Sequence, residues 1–450
     1  PFSYIGEGVK GPDLQAFWQG KTVSGFPADA LFLDGSTKAI IEKVWGPASV
    51  NNVTVLSSEE ILNKTWETEK TFAIIPFEQL EPAWKVLAID GESPVQKHFN
   101  STEYILNIPF SFLGDQPEID ALSLLLEKDG YSNGFTPVSN RSADKLTTVI
   151  LTGVTALVRG TAYIMETRGL TYPAIDIGDI LRDADILHIS NEVSFADTCP
   201  DPYLNKANDA NLIFCSKPEY IQLLEAIGTD VVELSGDHFR DWGSEAILGT
   251  LDMYDARGWQ YYGGGRNFND GIQPAIFNHN GNKIAFFGCN AKQPGYATAS
   301  TTAPGAVHCD MELMAEQVKN AIEQGFLPIF TFQHIEYYSY GGSPALQSDF
   351  YRAADAGAVI VSGSQAHQPH ALEFYKNSFL HYGLGNLFFD QYDEGFATRQ
   401  AFLDRHVFYN GKHVSTELIP IMFIDLARTR LMTEEEKIYL LNKVFTASGW

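Results

Sequence analysis

The chain has 450 residues, a length that suggests two or three domains at roughly 100 to 200 residues each. Its composition, with 44% hydrophobic and 19% charged residues, is ordinary for a globular protein and excludes a disordered chain, a collagen and a coiled coil. The 31 Lys and Arg residues against 56 Asp and Glu residues give a net charge of −25, which would repel a phosphate backbone, so we expect no nucleic-acid partner.

The first part of the chain is predicted to form an α/β domain over residues 1–142. Residues 73–87 loosely resemble a lobe of a periplasmic solute-binding protein. Between residues 130 and 144 the sequence becomes a mixture of Gly, Ser, Asn and Pro, which is typical of a domain junction. We therefore expect a second domain over residues 143–450.

Local patterns predict several elements of this first domain. Val53–Leu56 is predicted to be a strand, and Ser57 followed by Glu60 has the spacing of a capping box that begins a helix. Thr71–Ile75 and Trp84–Ile89 are further apolar runs rich in residues that favour strands. Together these runs predict a small sheet with flanking helices.

From Leu146 onward, apolar runs alternate with helical stretches, which indicates a layered α/β domain with much parallel strand pairing. Two of the predicted helices are Pro218–Ala226 and Met311–Gln324. The predicted strands are Thr147–Thr152, Ile186–Ile189, Val231–Leu234, Lys283–Gly288, Leu327–Phe332, Ala358–Val361 and Phe379–Leu384.

The four cysteines fall in two pairs, Cys199 with Cys215 and Cys289 with Cys309, and each pair flanks one loop. We predict a disulfide within each pair, although four buried thiols would also fit an even count. Disulfides imply an oxidising compartment, so we expect an extracytoplasmic protein, either secreted or on the cell surface. No run of about 20 apolar residues is present, so we expect no transmembrane segment. Four N-x-Ser/Thr sequons, which also occur by chance, are candidate glycosylation sites: Asn52, Asn63, Asn100 and Asn140.

Polar side chains follow five of the predicted strands. Ligands of open α/β sheets bind beyond the carboxyl ends of strands, and Zn, Mn, Fe and Mg accept His, Asp, Glu and Asn side chains. A single His after a strand is more often a hydrogen-bonded loop residue, but three of them in one domain favour a metal site. The candidate divalent-metal ligands are Asn191, Asp237, His238, His334 and His367. We expect Asn191 and the three histidines to converge because their strands would share one sheet.

The order of these motifs resembles the CapA family of poly-γ-glutamate capsule biosynthesis proteins over residues 146–400. The motifs are Ala184–Leu187 with Asn191 and Glu192, Gly236–His238 with Asp241–Gly243, Gly263–Gly265 with Pro274, Ala356–Ala358 with Gly363 and His367, and Tyr382–Asp390. The resemblance implies a calcineurin-like metallophosphatase fold, which is a layered α/β sandwich with helices flanking β-sheets, here preceded by an N-terminal α/β lobe.

The chain departs from the family pattern at the implied metal site. Val154 and Thr155 follow Gly153 where the family has a Gly-Asp pair, and Gln365 replaces one of two family histidines. The resemblance therefore implies a degenerate site, in which a bimetallic centre would lack a carboxylate. If the site is hydrolytic, the residues implied in catalysis or in support of it are His334, Glu192, Asp241 and Glu336.

Two interpretations of function remain open. The first is an extracytoplasmic CapA-like protein that binds a capsule or surface polymer, or hydrolyses a phosphoester or γ-glutamyl amide with a divalent metal. The second is a non-catalytic structural or assembly protein of the cell surface that keeps the fold as a binding surface. The expected partners are a surface polymer or other copies of the same chain.

Peptide mapping of the unreduced protein should recover the bridges Cys199–Cys215 and Cys289–Cys309, because each pair flanks a single loop. Four free thiols, or pairing between the two loops, would contradict both bridges and weaken the case for an oxidising compartment.

Overall fold

The computed structural model describes residues 1–110, 113–128, 139–204, 212–292, 294–295 and 297–450. The chain divides into two compact units, Pro1–Leu146 and Thr147–Trp450. Among the described residues, none of the helices combines the length and the apolar character that crossing a membrane requires.

The first unit is a small α/β structure around a parallel three-stranded sheet. Its strands and helices are β1 (Gly8–Val9), α1 (Gly11–Trp18), β2 (Ala30–Leu33), α2 (Gly35–Trp45), β3 (Val53–Val55), α3 (Ser58–Glu67), β4 (Thr71–Ala73), β5 (Ala88–Ile89) and α4 (Gln116–Lys128). The sheet has the order β3-β2-β4, and β1 pairs with β5 separately.

Local sequence signals determine where the helices of this unit begin. The predicted capping box is confirmed, since Ser57 and Glu60 cap the start of α3 reciprocally. The prediction of a strand over Trp84–Ile89 was wrong for most of its length, because only Ala88 and Ile89 pair. Trp84 instead packs in a buried cluster with Phe32 and Ile61, so the apolar run serves the core without joining the sheet.

The four sequons differ in exposure. Asn63, Asn100 and Asn140 are exposed. Asn52 is half-buried, and its amide nitrogen donates to the carbonyl oxygen of Phe17 at 2.7 Å. A glycan on Asn52 would be attached to the nitrogen that makes this hydrogen bond, whereas the other three asparagines are accessible. Glycosylation itself stays a prediction.

The second unit contains the predicted alternation of strands and helices. Its strands are β6 (Leu146–Leu151), β7 (Val154–Thr155), β8 (Ile186–Asn191), β9 (Val231–Glu233), β10 (Gln260–Tyr262), β11 (Gly264–Gly265), β12 (Ala275–His279), β13 (Asn282–Asn290), β14 (Gly305–Ala306), β15 (Leu327–Gln333), β16 (Ile360–Ser362), β17 (Leu372–Tyr375), β18 (Ser378–His381), β19 (Asn386–Phe388), β20 (Gln400–Tyr409), β21 (Lys412–Ile424) and β22 (Arg428–Leu431). Its helices are α5 (Arg159–Arg168), α6 (Gly178–Arg182), α7 (Ile221–Ala226), α8 (Gly243–Asp255), α9 (Phe268–Gly271), α10 (Met311–Glu323), α11 (Pro344–Ala356) and α12 (Glu434–Ala447).

Most of these strands form two large sheets, and β11 pairs with β14 separately. One has nine strands in the order β10-β9-β8-β6-β20-β21-β22, with β7 pairing with β8 and β19. The other has six strands in the order β12-β13-β15-β16-β18-β17. The predicted layered α/β sandwich is thereby confirmed. The expectation that the ligand-bearing strands share one sheet was wrong, because β8 and β9 belong to the first sheet and β15 and β16 to the second.

Each large sheet is covered by its own helices. Ile189 and Val232 of the nine-stranded sheet lie in a buried cluster to which α5, α6, α7 and α8 contribute. Phe330 of the six-stranded sheet and Phe350 of α11 lie in a second cluster, to which α10 also contributes. Burial in these clusters explains why the strands of the second unit have nearly continuous apolar sequences, as expected for strands that are buried on both faces.

Both predicted disulfides are present, Cys199–Cys215 and Cys289–Cys309. The second joins the penultimate residue of β13 to the segment just before α10. It therefore closes the loop that leaves the carboxyl end of β13.

The hairpin of β20 and β21 holds two neighbouring histidines, of which His406 is buried and His413 is partly buried. Nδ1 of His406 lies 3.3 Å from Nε2 of His413, and Thr416 hydrogen-bonds to both rings. Burial lowers the pKa of His413 to about 3, and burial, with the neighbouring His413 and His381, lowers the pKa of His406 well below its usual value. His381 in turn pairs with buried Asp404, with Nδ1 to Oδ2 at 2.6 Å.

Lowering the pH should therefore destabilise the second unit. A histidine with a depressed folded-state pKa stabilises the fold fully above its unfolded value of roughly 6.5, and this contribution is lost as the pH falls toward the folded value. For each such histidine the unfolding free energy should decrease by at most about 1.4 kcal/mol per pH unit. Urea unfolding between pH 7 and pH 4 should show a shallower decline in His413→Gln than in the wild type; equal slopes would contradict the assignment.

Candidate functional site

The candidate site lies where two adjacent strands of the nine-stranded sheet end. Glu192 directly follows β8, and Asp237 and His238 lie in the loop after β9. Gly236 lets the two segments approach, because a Cβ at that position would lie 2.9 Å from the Cα of Glu192, closer than side chains tolerate. The sequence Gly-Asp-His thus positions its Asp and His beside Glu192.

Glu192, Asp237 and His238 form a compact group of ligand-type side chains. One ligand atom from each lies within 4.8 Å of the other two. Glu192 is only 1% exposed, and burial raises the pKa of its carboxyl group, opposed mainly by the positive charges of His367 and His238. The grouping therefore brings the buried carboxylate of Glu192 together with the partly exposed carboxylate of Asp237 and imidazole of His238.

His238 is held in place by Asp241. Its Nδ1 donates to Oδ2 of Asp241 at 2.7 Å, and the same oxygen accepts the backbone N–H of Phe214 at 2.8 Å. Burial alone lowers the pKa of His238, but the hydrogen bond to Asp241 and the charge of Glu192 outweigh it and raise the pKa to about 9. With Nδ1 engaged, Nε2 is the nitrogen left to face a ligand.

His367 is held in place by hydrogen bonds with Asn386. The amide nitrogen of Asn386 donates to the carbonyl oxygens of His367 and Thr398, each at 3.0 Å, which sets the amide orientation. Its oxygen is then an acceptor at 3.0 Å from Nδ1 of His367, so Nδ1 carries a proton. The interaction of His367 with Glu192 places it beside the cluster, and its Nε2 is the nitrogen that can accept a ligand.

A lysine that the sequence analysis missed enters the same cluster. Nζ of Lys292 lies 2.7 Å from Oδ2 of Asp237 and is also ion-paired with Glu336. The pKa of Asp237 is lowered, because Lys292 and His238 outweigh the opposing effect of burial. Lys292 also follows a predicted strand, which was the available signal, but lysine is not a metal-ligand type and was therefore not among the candidates.

Two further predicted ligands each have one polar atom engaged by another residue, while Nδ1 of His334 and Oδ1 of Asn191 are buried without a hydrogen-bond partner among the described residues, so their role as ligands stays a prediction. Nε2 of His334 lies 3.3 Å from Oδ2 of Asp349 on α11. The amide nitrogen of Asn191 donates to the hydroxyl of Tyr254 at 2.9 Å and to a backbone carbonyl. The compact group of Glu192, Asp237 and His238 does not include His334, whose Nε2 faces Asp349, and the amide nitrogen of Asn191 faces α8. Glu336, expected in catalysis, is the partner of Lys292.

The residues that depart from the family pattern are buried near this edge. Thr155 pairs with Asn191 across β7 and β8, and its hydroxyl has no hydrogen-bond partner among the residues that the structure describes. Gln365 is 1% exposed, and its amide nitrogen donates to the hydroxyl of Ser190. Neither side chain offers the charged or imidazole ligand that the resemblance implies.

The donor chemistry fits one divalent cation better than two. Two carboxylates and an imidazole, with His367 close by, are ligands that Mn, Zn, Fe or Mg accept. A second metal would need a bridging carboxylate, and Thr155 supplies none.

Comparisons with known proteins identify the family of the second unit. A family model described as bacterial capsule synthesis protein PGA_cap matches residues 148–391, more than half of the chain. The capsule biosynthesis protein CapA of Bacillus anthracis is 25% identical over 259 residues, which cover 57% of this chain and 62% of that protein. The PGA biosynthesis protein CapA of Bacillus subtilis (strain 168) is 23% identical over 188 residues, covering 41% and 49%. The chain thus matches less than two thirds of either relative's length.

Among solved structures, a 5'-nucleotidase precursor from Thermus thermophilus is similar with a TM-score of 0.37 and 11% identity. The similarity covers 67% of this chain and 59% of that chain.

Replacing Asp241 with Asn should lower the pKa of His238, because the amide keeps an acceptor but loses the negative charge. We expect a decrease of about 1 to 3, the usual effect of one adjacent opposite charge, measured by NMR titration of the imidazole. Asp252→Asn is the matched control, since Asp252 pairs with Arg266 outside this cluster. An unchanged value in Asp241→Asn would contradict the role of Asp241.

Proposed function

Because this chain belongs to the bacterial capsule synthesis protein family PGA_cap, we propose that it is an extracytoplasmic protein that acts on or binds a capsule or other surface polymer. The names of the relatives, capsule biosynthesis protein and PGA biosynthesis protein, support a capsule polymer as the ligand or substrate. The two disulfides support the location, because such bonds persist in oxidising compartments.

The observation that carries the chemical part of this proposal is the group of Glu192, Asp237 and His238 within 4.8 Å. These three residues, with His367 beside them, would hold a single divalent cation. When bound, the cation would act as a Lewis acid toward a phosphoryl or amide oxygen of the polymer.

The chain's own residues make cation binding weak. A protonated His238 must lose its Nε2 proton before it can ligate, and its pKa of about 9 means that this proton is present at neutral pH. Asp241 holds the ring in the orientation that presents Nε2, so it positions the imidazole without contacting a ligand itself.

Hydrolysis should be weak or absent. Thr155 cannot supply a bridging carboxylate, and Gln365 is hydrogen-bonded to Ser190 where the family has a histidine. These same substitutions favour a second candidate function, a non-catalytic assembly protein that binds the polymer through the retained fold.

Metal binding should depend on Asp237 and not on His334. Isothermal titration of chelator-treated protein with Mn²⁺ should give at most one equivalent in the wild type and none in Asp237→Asn, since a ligand is lost. His334→Ala and Asp349→Asn are matched controls, because these two side chains face each other outside the group. Loss of binding in His334→Ala with retention in Asp237→Asn would contradict the proposed ligand set.

Restoring the family residues should create activity. The double variant Thr155→Asp, Gln365→His should hydrolyse phosphodiester or γ-glutamyl substrates with Mn²⁺ about tenfold or more faster than the wild type, because it regains a carboxylate and an imidazole. Circular dichroism would verify folding of the variant. Robust hydrolysis by the wild type itself would refute the degenerate site.

A further inference from the structure

We propose that Lys292 is a tethered cation that competes with a divalent cation for the candidate site, and so determines whether the site takes up metal. This inference rests on the proposed function, since it assumes that Glu192, Asp237 and His238 can hold a cation.

The competition follows from how Asp237 is used. Its Oδ2 accepts Nζ of Lys292 at 2.7 Å, and its Oδ1 accepts the amide nitrogen of Gln333 at 3.1 Å. Both oxygens of this carboxylate are therefore engaged by donors. A cation that ligates Asp237 has to displace at least one of these two donors. It repels the charged ammonium of Lys292, so Lys292 is the donor that we expect it to displace.

Lys292 neutralises Asp237, which is also one of the two carboxylates that would ligate a metal. Lys292 is ion-paired with both Asp237 and Glu336, and its side chain is 17% exposed. Ion pairs of this partly buried kind are screened less than surface pairs. Without the ammonium, two neighbouring carboxylates would lose their common counter-ion and attract an external cation more strongly.

The backbone of Lys292 is fixed where the two sheets come together. Lys292 follows β13 of the six-stranded sheet, whereas Asp237 follows β9 of the nine-stranded sheet. The side chain of Asn290 joins them, since its oxygen accepts the N–H of Lys292 at 2.9 Å and its nitrogen donates to the carbonyl of Ser235 at 2.8 Å. The backbone position of Lys292 beside Asp237 is thus determined by the fold. The flexible four-carbon side chain of Lys292 can still move away from Asp237.

The first test compares the Mn²⁺ affinity of chelator-treated wild type and Lys292→Met by isothermal titration. We expect the Met variant to bind about tenfold or more tightly, as removal of one adjacent positive charge predicts. Lys292→Arg should behave like the wild type because it keeps the charge. Lys283→Met is the matched control on the same strand, since Lys283 contacts the backbone oxygen of Gln324 away from the site.

Thermal denaturation provides a second readout. Without metal, Lys292→Met should melt below the wild type because its carboxylates are unpaired, and saturating Mn²⁺ should raise its midpoint more than that of the wild type. Equal Mn²⁺ affinity in Lys292→Met and wild type, with binding lost in Asp237→Asn, would overturn the competition while leaving the proposed cation site intact. No Mn²⁺ binding in any variant would overturn both.

A third measurement uses the wild type alone, in case Lys292→Met does not fold. Saturating Mn²⁺ should release Lys292, so its acetylation by acetic anhydride, followed by peptide mass spectrometry, should become several-fold faster. The rate at Lys283 should not change. An unchanged rate at Lys292 under conditions where Mn²⁺ is bound would refute displacement of the lysine.

Discussion

The close approach of two segments at Gly236 is the constraint on which the candidate site depends. A side chain at this position would collide with the backbone of Glu192, so only glycine allows the loop after β9 to lie against the end of β8. That contact brings the buried carboxylate of Glu192 together with the partly exposed carboxylate of Asp237 and imidazole of His238. Their mutual repulsion and desolvation then have to be offset by neighbouring groups.

The neighbouring groups come from different parts of the second unit. Asp241 lies in the same loop as His238 and stabilises its positive charge. Lys292 arrives from the six-stranded sheet and neutralises Asp237 and Glu336. Buried charges are tolerated when they are paired and hydrogen-bonded, and His238, Asp237 and Lys292 each have an oppositely charged partner at hydrogen-bond distance. Lys292 can therefore act as an internal cation that stabilises this cluster.

Structural features that depend on residues close together in the sequence were predicted correctly. Local spacing predicts the capping box of Ser57 and Glu60 and the buried strands of the second unit. Both disulfides are predicted because each cysteine pair flanks one loop. The hairpin of β20 and β21 was missed, although the pair Asn410-Gly411, which has positive φ at both residues, is a typical turn signal. The run at Trp84 was overinterpreted, because apolar character alone does not distinguish a strand from a segment that packs on the core.

The sequence by itself determined which chemical groups follow the strands, that the cysteines pair around single loops, and that the motif order resembles one family. Only the tertiary structure decided which of those groups meet. Strand ends converge according to the sheet that each strand joins, and this depends on pairing between residues far apart in the chain, which no local pattern specifies. Sheet membership alone does not determine these contacts either: His334 and Lys292 follow two strands of the same six-stranded sheet, yet His334 contacts Asp349 of α11 and Lys292 reaches Asp237, which follows a strand of the nine-stranded sheet.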